Sequence, residues 1–147
     1  MAYYFAYGSN MNVERMIERQ VKFTGYEKGT IENSTLRFSK KAFRLGEGFA
    51  NIHYKIGEKV EGVLYELASK NEIKKLDRFE GCPFHYNRIE MLVKTKYGYK
   101  WAFVYIANNY FVDFRLKPSK KYLNHLLKGK EFLSKQYYNK LEVTKCI

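Results

Sequence analysis

The apolar positions of this chain fall into two regimes. Short or alternating runs dominate up to about residue 107, and a helical spacing takes over after Pro118. Tyr3 to Tyr7 is a continuous, aromatic-rich run suited to a buried strand, and Gly8 breaks it sharply. Asn10 or Asn12 can cap the helix that follows, on which Val13, Met16 and Ile17 keep the i, i+3, i+4 spacing. Lys28 to Phe38 reads as extended, and Phe49 to Ile56 alternates Ala50, Ile52, Tyr54 and Ile56. Gly57-Glu58 predicts a hairpin turn into Val60 through Leu67. A second hairpin pairs Tyr86 to Thr95 with Tyr99 to Ala107 around Tyr97-Gly98. In the tail Ser119 can cap a helix carrying Leu123, Leu126 and Leu127, Gly129 interrupts it, and Tyr137 and Leu141 mark one more helical segment. Hairpins with helices at their edges and ends predict an α+β domain spanning residues 1–147. Its strands, about six and strongly twisted, are expected to close into a small, mixed, mainly antiparallel β-barrel.

Between the two hairpins lies one short helix with an unusual polar position. Ser69 followed by Glu72 has the form of a capping box, and Ile73 and Leu76 mark the inward stripe. From Ile73 to Glu80 the helix turns by roughly 700°, so Glu80 returns to within about 20° of that stripe. Gly81 and Pro83 then stop the helix. A carboxylate kept partly out of water is disfavoured as an ion, which raises its proton affinity toward the range useful to a general base. A helix ending a residue or two earlier would instead leave Glu80 solvated, and the pattern alone leaves both readings open.

Composition narrows the classes. With 147 residues, 46% hydrophobic and 18% aromatic, the chain has ample material for a single core, which excludes a disordered chain. No stretch has the roughly 18 uncharged apolar residues of a membrane span, and MAYYFAYGSN lacks the form of a secretion signal, so a cytoplasmic protein with no membrane partner is expected. Cys82 and Cys146 lie far apart and form no ligand cluster, which suits a reducing compartment. The net charge is +12, and from Arg115 onward nine Lys/Arg face two Glu. Basic and aromatic residues interleaved in this way are also found in nucleic-acid binders. Here there is no ribonucleoprotein motif, GxxG loop or paired Cys/His spacing, so a basic proteome or attraction of anionic substrates explains the charge more simply.

The opening loop supplies the second candidate. Tyr7-Gly8-Ser9-Asn10 joins a buried strand to a helix, so its glycine permits close backbone approach and its N–H groups lie at a helix start, where anions and carbonyl oxygens gather. The same four residues also make a good capped turn. Ser9 lacks the GxSxG context and a partner His, and is read as a binding or capping hydroxyl. Cys82 and His85 are too few for a metal site. Tyr86 and Arg88, at alternate positions of a strand, either line a pocket or serve packing and a surface ion pair, and Tyr122 in the first turn of the late helix is a comparable pocket candidate. His53 and His125 have no identifiable partners in the sequence.

MAYYFAYGSNM, GVLYEL, LDRFEG, Tyr86 with Arg88, and the late Pro118-Ser119 with Tyr122 together resemble the γ-glutamylcyclotransferase (AIG2-like) family, in order and spacing and over nearly the whole chain. The resemblance implies a barrel-centred α+β fold and a cyclotransferase that cleaves a γ-glutamyl amine, amino acid or peptide. The substrate's own α-amine attacks, 5-oxoproline and the free amine leave, and neither metal nor cofactor takes part. It implies Glu80 as the general acid/base and Tyr7, Gly8, Ser9, Asn10 and Met11 as the substrate loop, with Tyr86 and Tyr122 as further pocket residues. FEGCPFHYNR looks like the γ-glutamylamine branch, which leaves the subfamily open. The alternative is a noncatalytic member of the same fold that binds a small metabolite or nucleic acid.

Overall fold

The computed structural model describes residues 1–147 and contains a closed five-stranded barrel with strand order β1-β3-β2-β4-β5. The strands are β1 (Ala2–Ala6), β2 (Phe23–Lys41), β3 (Gly48–Leu67), β4 (Tyr86–Thr95) and β5 (Gly98–Ala107). All neighbours are antiparallel except β1 and β5, which meet in parallel at Tyr4 and Phe103 and close the barrel. Helices α1 (Val13–Glu18), α2 (Ile73–Glu80), α3 (Lys120–Leu127) and α4 (Lys135–Glu142) pack around it. No helix is long and apolar enough to cross a membrane.

The period of two along β1 sorts the core into two layers. Phe5 and Tyr7 join Ile31, Ile52, Leu64 and Val104 in one cluster, while Tyr4 and Ala6 join the cluster that includes Tyr65, Met16, Leu76 and Leu126 of the surrounding elements. Buried on both faces, β1 has to be the continuous apolar run that its sequence shows.

The predicted hairpin at Gly57-Glu58 does not form. The chain continues through it as the 20-residue β3, pairing with the 19-residue β2, so two expected strands are one and the expected small barrel closes with five. Gly57 sits at a register shift, with φ +86°, opposite Asn33 at φ +52°, whose Oδ1 accepts the Gly57 N–H at 3.1 Å. A bulge and a two-residue turn demand the same glycine chemistry. Here the inward alternation of Ala50 and Ile52 ends, leaving Tyr54 and Ile56 exposed. The connection from β2 to β3 lies instead at Ala42–Glu47, closed by the Ala42 N–H donating to the Glu47 carbonyl at 3.0 Å.

Two helix starts also differ from expectation. Ser69 makes no cap, and Glu72 instead accepts the Lys22 N–H at 2.7 Å and the Lys75 ammonium at 2.9 Å, tying the start of α2 to the segment before β2. Neither Asn10 nor Asn12 caps α1 through its side chain, and Ile17 points to solvent because the six-residue helix buries only Met16. The β4–β5 hairpin forms as predicted, and so does the Ser119 cap, which accepts the Tyr122 N–H at 3.0 Å. Ser134 caps α4 in the same way and donates its hydroxyl to the fully buried Glu61, which also accepts the Ser134 N–H at 2.6 Å.

Candidate active site

One cavity of about 280 Å³ opens beside the end of α2, and its wall is drawn from β1, the loop after it, α1, the β2–β3 ribbon, the turn after α2 and α3. Glu80, Tyr7, Gly8, Ser9, Asn10, Tyr86 and Tyr122 all line it. Met11 does not. Its side chain is fully buried in the core, where its Cβ and Sδ lie close to Gly129, and its N–H is spent within the turn on the Gly8 carbonyl at 3.0 Å. Arg88 lies elsewhere, paired with Asp77 and stacked over Phe103.

The loop is held from several sides, which makes it a preformed surface. Asn10 is buried, donates to Tyr4 Oη at 3.0 Å, accepts from Arg19 at 3.1 Å, and takes the Tyr65 hydroxyl on its carbonyl at 2.6 Å. Ser9 Oγ accepts from Arg15 Nε at 3.1 Å, an arrangement that orients an arginine and supplies no base to the hydroxyl. At Gly8 a Cβ would come within 2.9 Å of Tyr122 Oη and 3.3 Å of Ala50 Cβ, so no larger residue fits without displacing the wall.

Tyr122 Oη accepts the Ala50 N–H at 3.1 Å and is also approached by the Ser9 backbone N–H. Burial keeps its hydroxyl protonated, and its own hydrogen has no acceptor within the protein. The Gly8 N–H likewise donates to no backbone carbonyl. Two donors are therefore unspent at this corner. Tyr86 donates to the Ala50 carbonyl at 2.8 Å and Tyr7 to that of Tyr105, so both fix the wall of the cavity they line.

Glu80 ends α2 where Gly81 adopts the left-handed conformation at φ +62°. Ile73 and Leu76, on the same face, are buried in the core, so the helical phase that anchors them carries Glu80 to the cavity wall. Its carboxylate makes no hydrogen bond to the protein and no ion pair within 4.0 Å. Burial raises its pKa to about 7, although Arg19, Arg15 and Lys40 pull the other way. A carboxyl poised near neutrality, unpaired, and sharing its cavity with residues that hold unspent hydrogen-bond donors is able to accept and return a proton.

Residues 4–130 match the family described as "Gamma-glutamyl cyclotransferase, AIG2-like". The chain belongs to that family. It is 32% identical over 100 residues to a protein from Bos taurus named "Gamma-glutamylcyclotransferase", the match covering 65% of this chain and 53% of the relative, so the match spans about half that relative's length. Among solved structures it superposes on one titled "Gamma-glutamyl cyclotransferase" with TM-score 0.85 and 28% identity, over 99% of this chain and 89% of the other. YkqA from Bacillus subtilis shares the fold at TM-score 0.83 and 24% identity, over 96% of this chain and 52% of that one.

The γ-glutamyl cyclotransferase fold also brings in residues that sequence reasoning missed. Arg15 on α1 and Arg19 at its C-cap line the cavity, and Arg19 lies 4.6 Å over the Phe79 ring. Their i, i+4 spacing was a usable signal, since it puts both guanidinium groups on one helix face. Lys40 and Phe49 gave none, because a lysine within an extended run reads as solvated. His125 lies behind Arg15, with Nε2 3.4 Å from its Nη1 and Nδ1 3.1 Å from Asn12, while His53 Nε2 meets Ser39 Oγ at 2.7 Å. No group of three or more His, Cys, Asp or Glu side chains is arranged to hold a metal ion.

Proposed function

We propose that this protein cleaves a γ-glutamyl compound by intramolecular cyclisation, releasing 5-oxoproline and the amine or amino acid attached to the γ-carbonyl. The observation that carries this reading is the unpaired Glu80 carboxyl, held near pKa 7 on the wall of a cavity that also presents the free Gly8 N–H and Tyr122 O–H. In such a substrate the α-amine and the γ-carbonyl belong to one molecule, and well-oriented systems of this kind reach effective molarities of roughly 10⁵ to 10⁸ M. Much of the task is therefore to hold the folded-back conformer, for which a narrow, tyrosine-lined wall is suited.

The amine attacks only after losing a proton, because an α-amine with a pKa near about 8 is mostly protonated at neutral pH. Glu80 as the carboxylate takes that proton. As the C–N bond to the leaving group breaks, Glu80 returns one to the departing nitrogen. The Gly8 N–H and the Tyr122 hydroxyl hold the γ-oxyanion that forms between these steps, where one aligned donor is worth roughly 3 to 4 kcal/mol. Exchanging one amide for another consumes no water and changes no oxidation state, so a proton carrier and an oxyanion cradle meet its demands.

The test is 5-oxoproline release from a panel of γ-glutamyl amino acids and amines by the native protein and by Glu80→Gln. Loss of product in the variant, with substrate binding retained, supports the reading. Equal rates remove Glu80 from the chemistry, and binding without turnover by the native protein points to a noncatalytic member of the fold.

A further inference from the structure

The cavity carries more positive charge than a γ-glutamyl group can match. Four cationic side chains, Arg15, Arg19, Lys40 and Arg78, line it against the single carboxylate of Glu80. A γ-glutamyl group brings one carboxylate and one amine. Arg15 and Arg19 are already engaged with Ser9 and Asn10 of the substrate loop, so these two cations account for the α-carboxylate end.

Lys40 stands apart from this arrangement. Only 5% exposed, it makes no hydrogen bond to the Tyr7–Met11 loop. Its ammonium donates to the Lys41 carbonyl at 2.8 Å and to His85 Nδ1 at 2.9 Å, which uses two of its three protons. The rings of Phe111, Tyr86 and Phe49 surround it at 4.9, 5.7 and 5.9 Å. His85, stacked on Phe111 at 4.4 Å, is exposed, so this corner forms the rim of the cavity. A lysine withdrawn from water, caged by aromatic faces and oriented by a neutral imidazole, has one donor left; Glu80 across the cavity acts on it electrostatically but makes no ion pair with it within 4.0 Å. Burying a cation without an ion pair in contact is costly, and a ligand carboxylate at the free donor would offset that cost.

We infer that Lys40 is a specificity residue that receives the carboxylate of the leaving group, so that the favoured substrates are γ-glutamyl amino acids or peptides ending in a free carboxylate rather than γ-glutamylamines. This rests on the cyclotransferase reading above. A neutral alkylamine leaves the Lys40 donor unmatched, and a diamine places a second cation against it.

The experiment compares γ-glutamylalanine with γ-glutamylethylamide, which lacks only the carboxylate, and with the amide of 1,5-diaminopentane. For the native protein kcat/KM is expected to favour γ-glutamylalanine by at least about tenfold over the ethylamide, the size of a charge pair at a partly buried site, with the diamine derivative poorer still. In Lys40→Met the ratio is expected to collapse to within about threefold, while Lys40→Arg, which keeps the cation, retains most of it. Reading the ratio separates this role from general damage to the site, and the native panel needs no variant. Equal rates with both substrates, or a preference that survives in Lys40→Met, overturn the inference and leave the cyclotransferase reading intact. If no compound yields 5-oxoproline, that reading fails, and calorimetric Kd values for the same pair on Glu80→Gln still measure the discrimination. Equal affinities, or no binding of either, would overturn the role given to Lys40.

Discussion

Replacing Glu80 by Gln should make the protein more stable at alkaline pH and leave it nearly unchanged in acid. The folded protein holds the Glu80 proton up to about pH 7, whereas the unfolded chain releases it near its ordinary value of 4.5. Between those values the folded state binds more protons, so its stability falls as pH rises. Moving a carboxyl from 4.5 to about 7, at roughly 1.36 kcal/mol per pH unit, costs the ionised native state about 3 kcal/mol above neutrality and nothing well below pH 4.5. Gln keeps the shape and cannot ionise. The stability difference between Glu80→Gln and the native protein should therefore grow by about 2 kcal/mol between pH 5 and pH 8.5, or about 4 to 8 °C in Tm for a chain of this size. Urea unfolding of both proteins at the two pH values measures it. The other titrating groups are common to both, so they largely cancel in the difference. A gap that stays constant with pH, or a Gln variant less stable than native at pH 8.5, would mean that the Glu80 carboxyl is neither buried nor raised and would remove the physical basis for its role as a base.

The remaining predictions address the chemistry and the frame. The acid limb of the kcat/KM profile should rise through pH about 7 as Glu80 loses its proton, and a limb near 4.5 would show an ordinary solvated carboxylate. Gly8→Ala should lower kcat/KM by at least about tenfold, since its Cβ meets Tyr122 Oη at 2.9 Å, and Gly8→Ala with Tyr122→Phe should fold better than Gly8→Ala because the clashing oxygen is gone. A double variant no more stable than the single in thermal melts would assign the clash elsewhere. Glu61→Ala should cost about 2 to 4 kcal/mol in urea unfolding, because it strips the half-buried Ser134 N–H and hydroxyl of the acceptor that the fully buried Glu61 provides and loosens α4, while activity per folded molecule persists.

Side-chain direction within one element was legible at a distance. The stripe of Ile73 and Leu76 predicts where Glu80 points, because the 3.6-residue period fixes angular positions however the helix is packed. The Ser119 cap and the β4–β5 hairpin were legible for the same reason, since the groups that satisfy the backbone lie within a few residues of one another. What local pattern left open was the choice of partner. Gly57 suits a turn or a bulge equally well, and the bulge forms because β2 continues to pair with β3 on both sides of it. Glu72 had the spacing of a capping box, yet it bonds to Lys22, 50 residues away in sequence. Lys40 looked like any exposed lysine on a strand until His85 and three aromatic rings closed around it. Glu80 shows the division within one residue. Its inward direction follows from the order of amino acids in α2, whereas its pKa is set by the exclusion of water, which raises it, against cations that oppose the rise, and barrel closure assembles both from segments far apart in the chain.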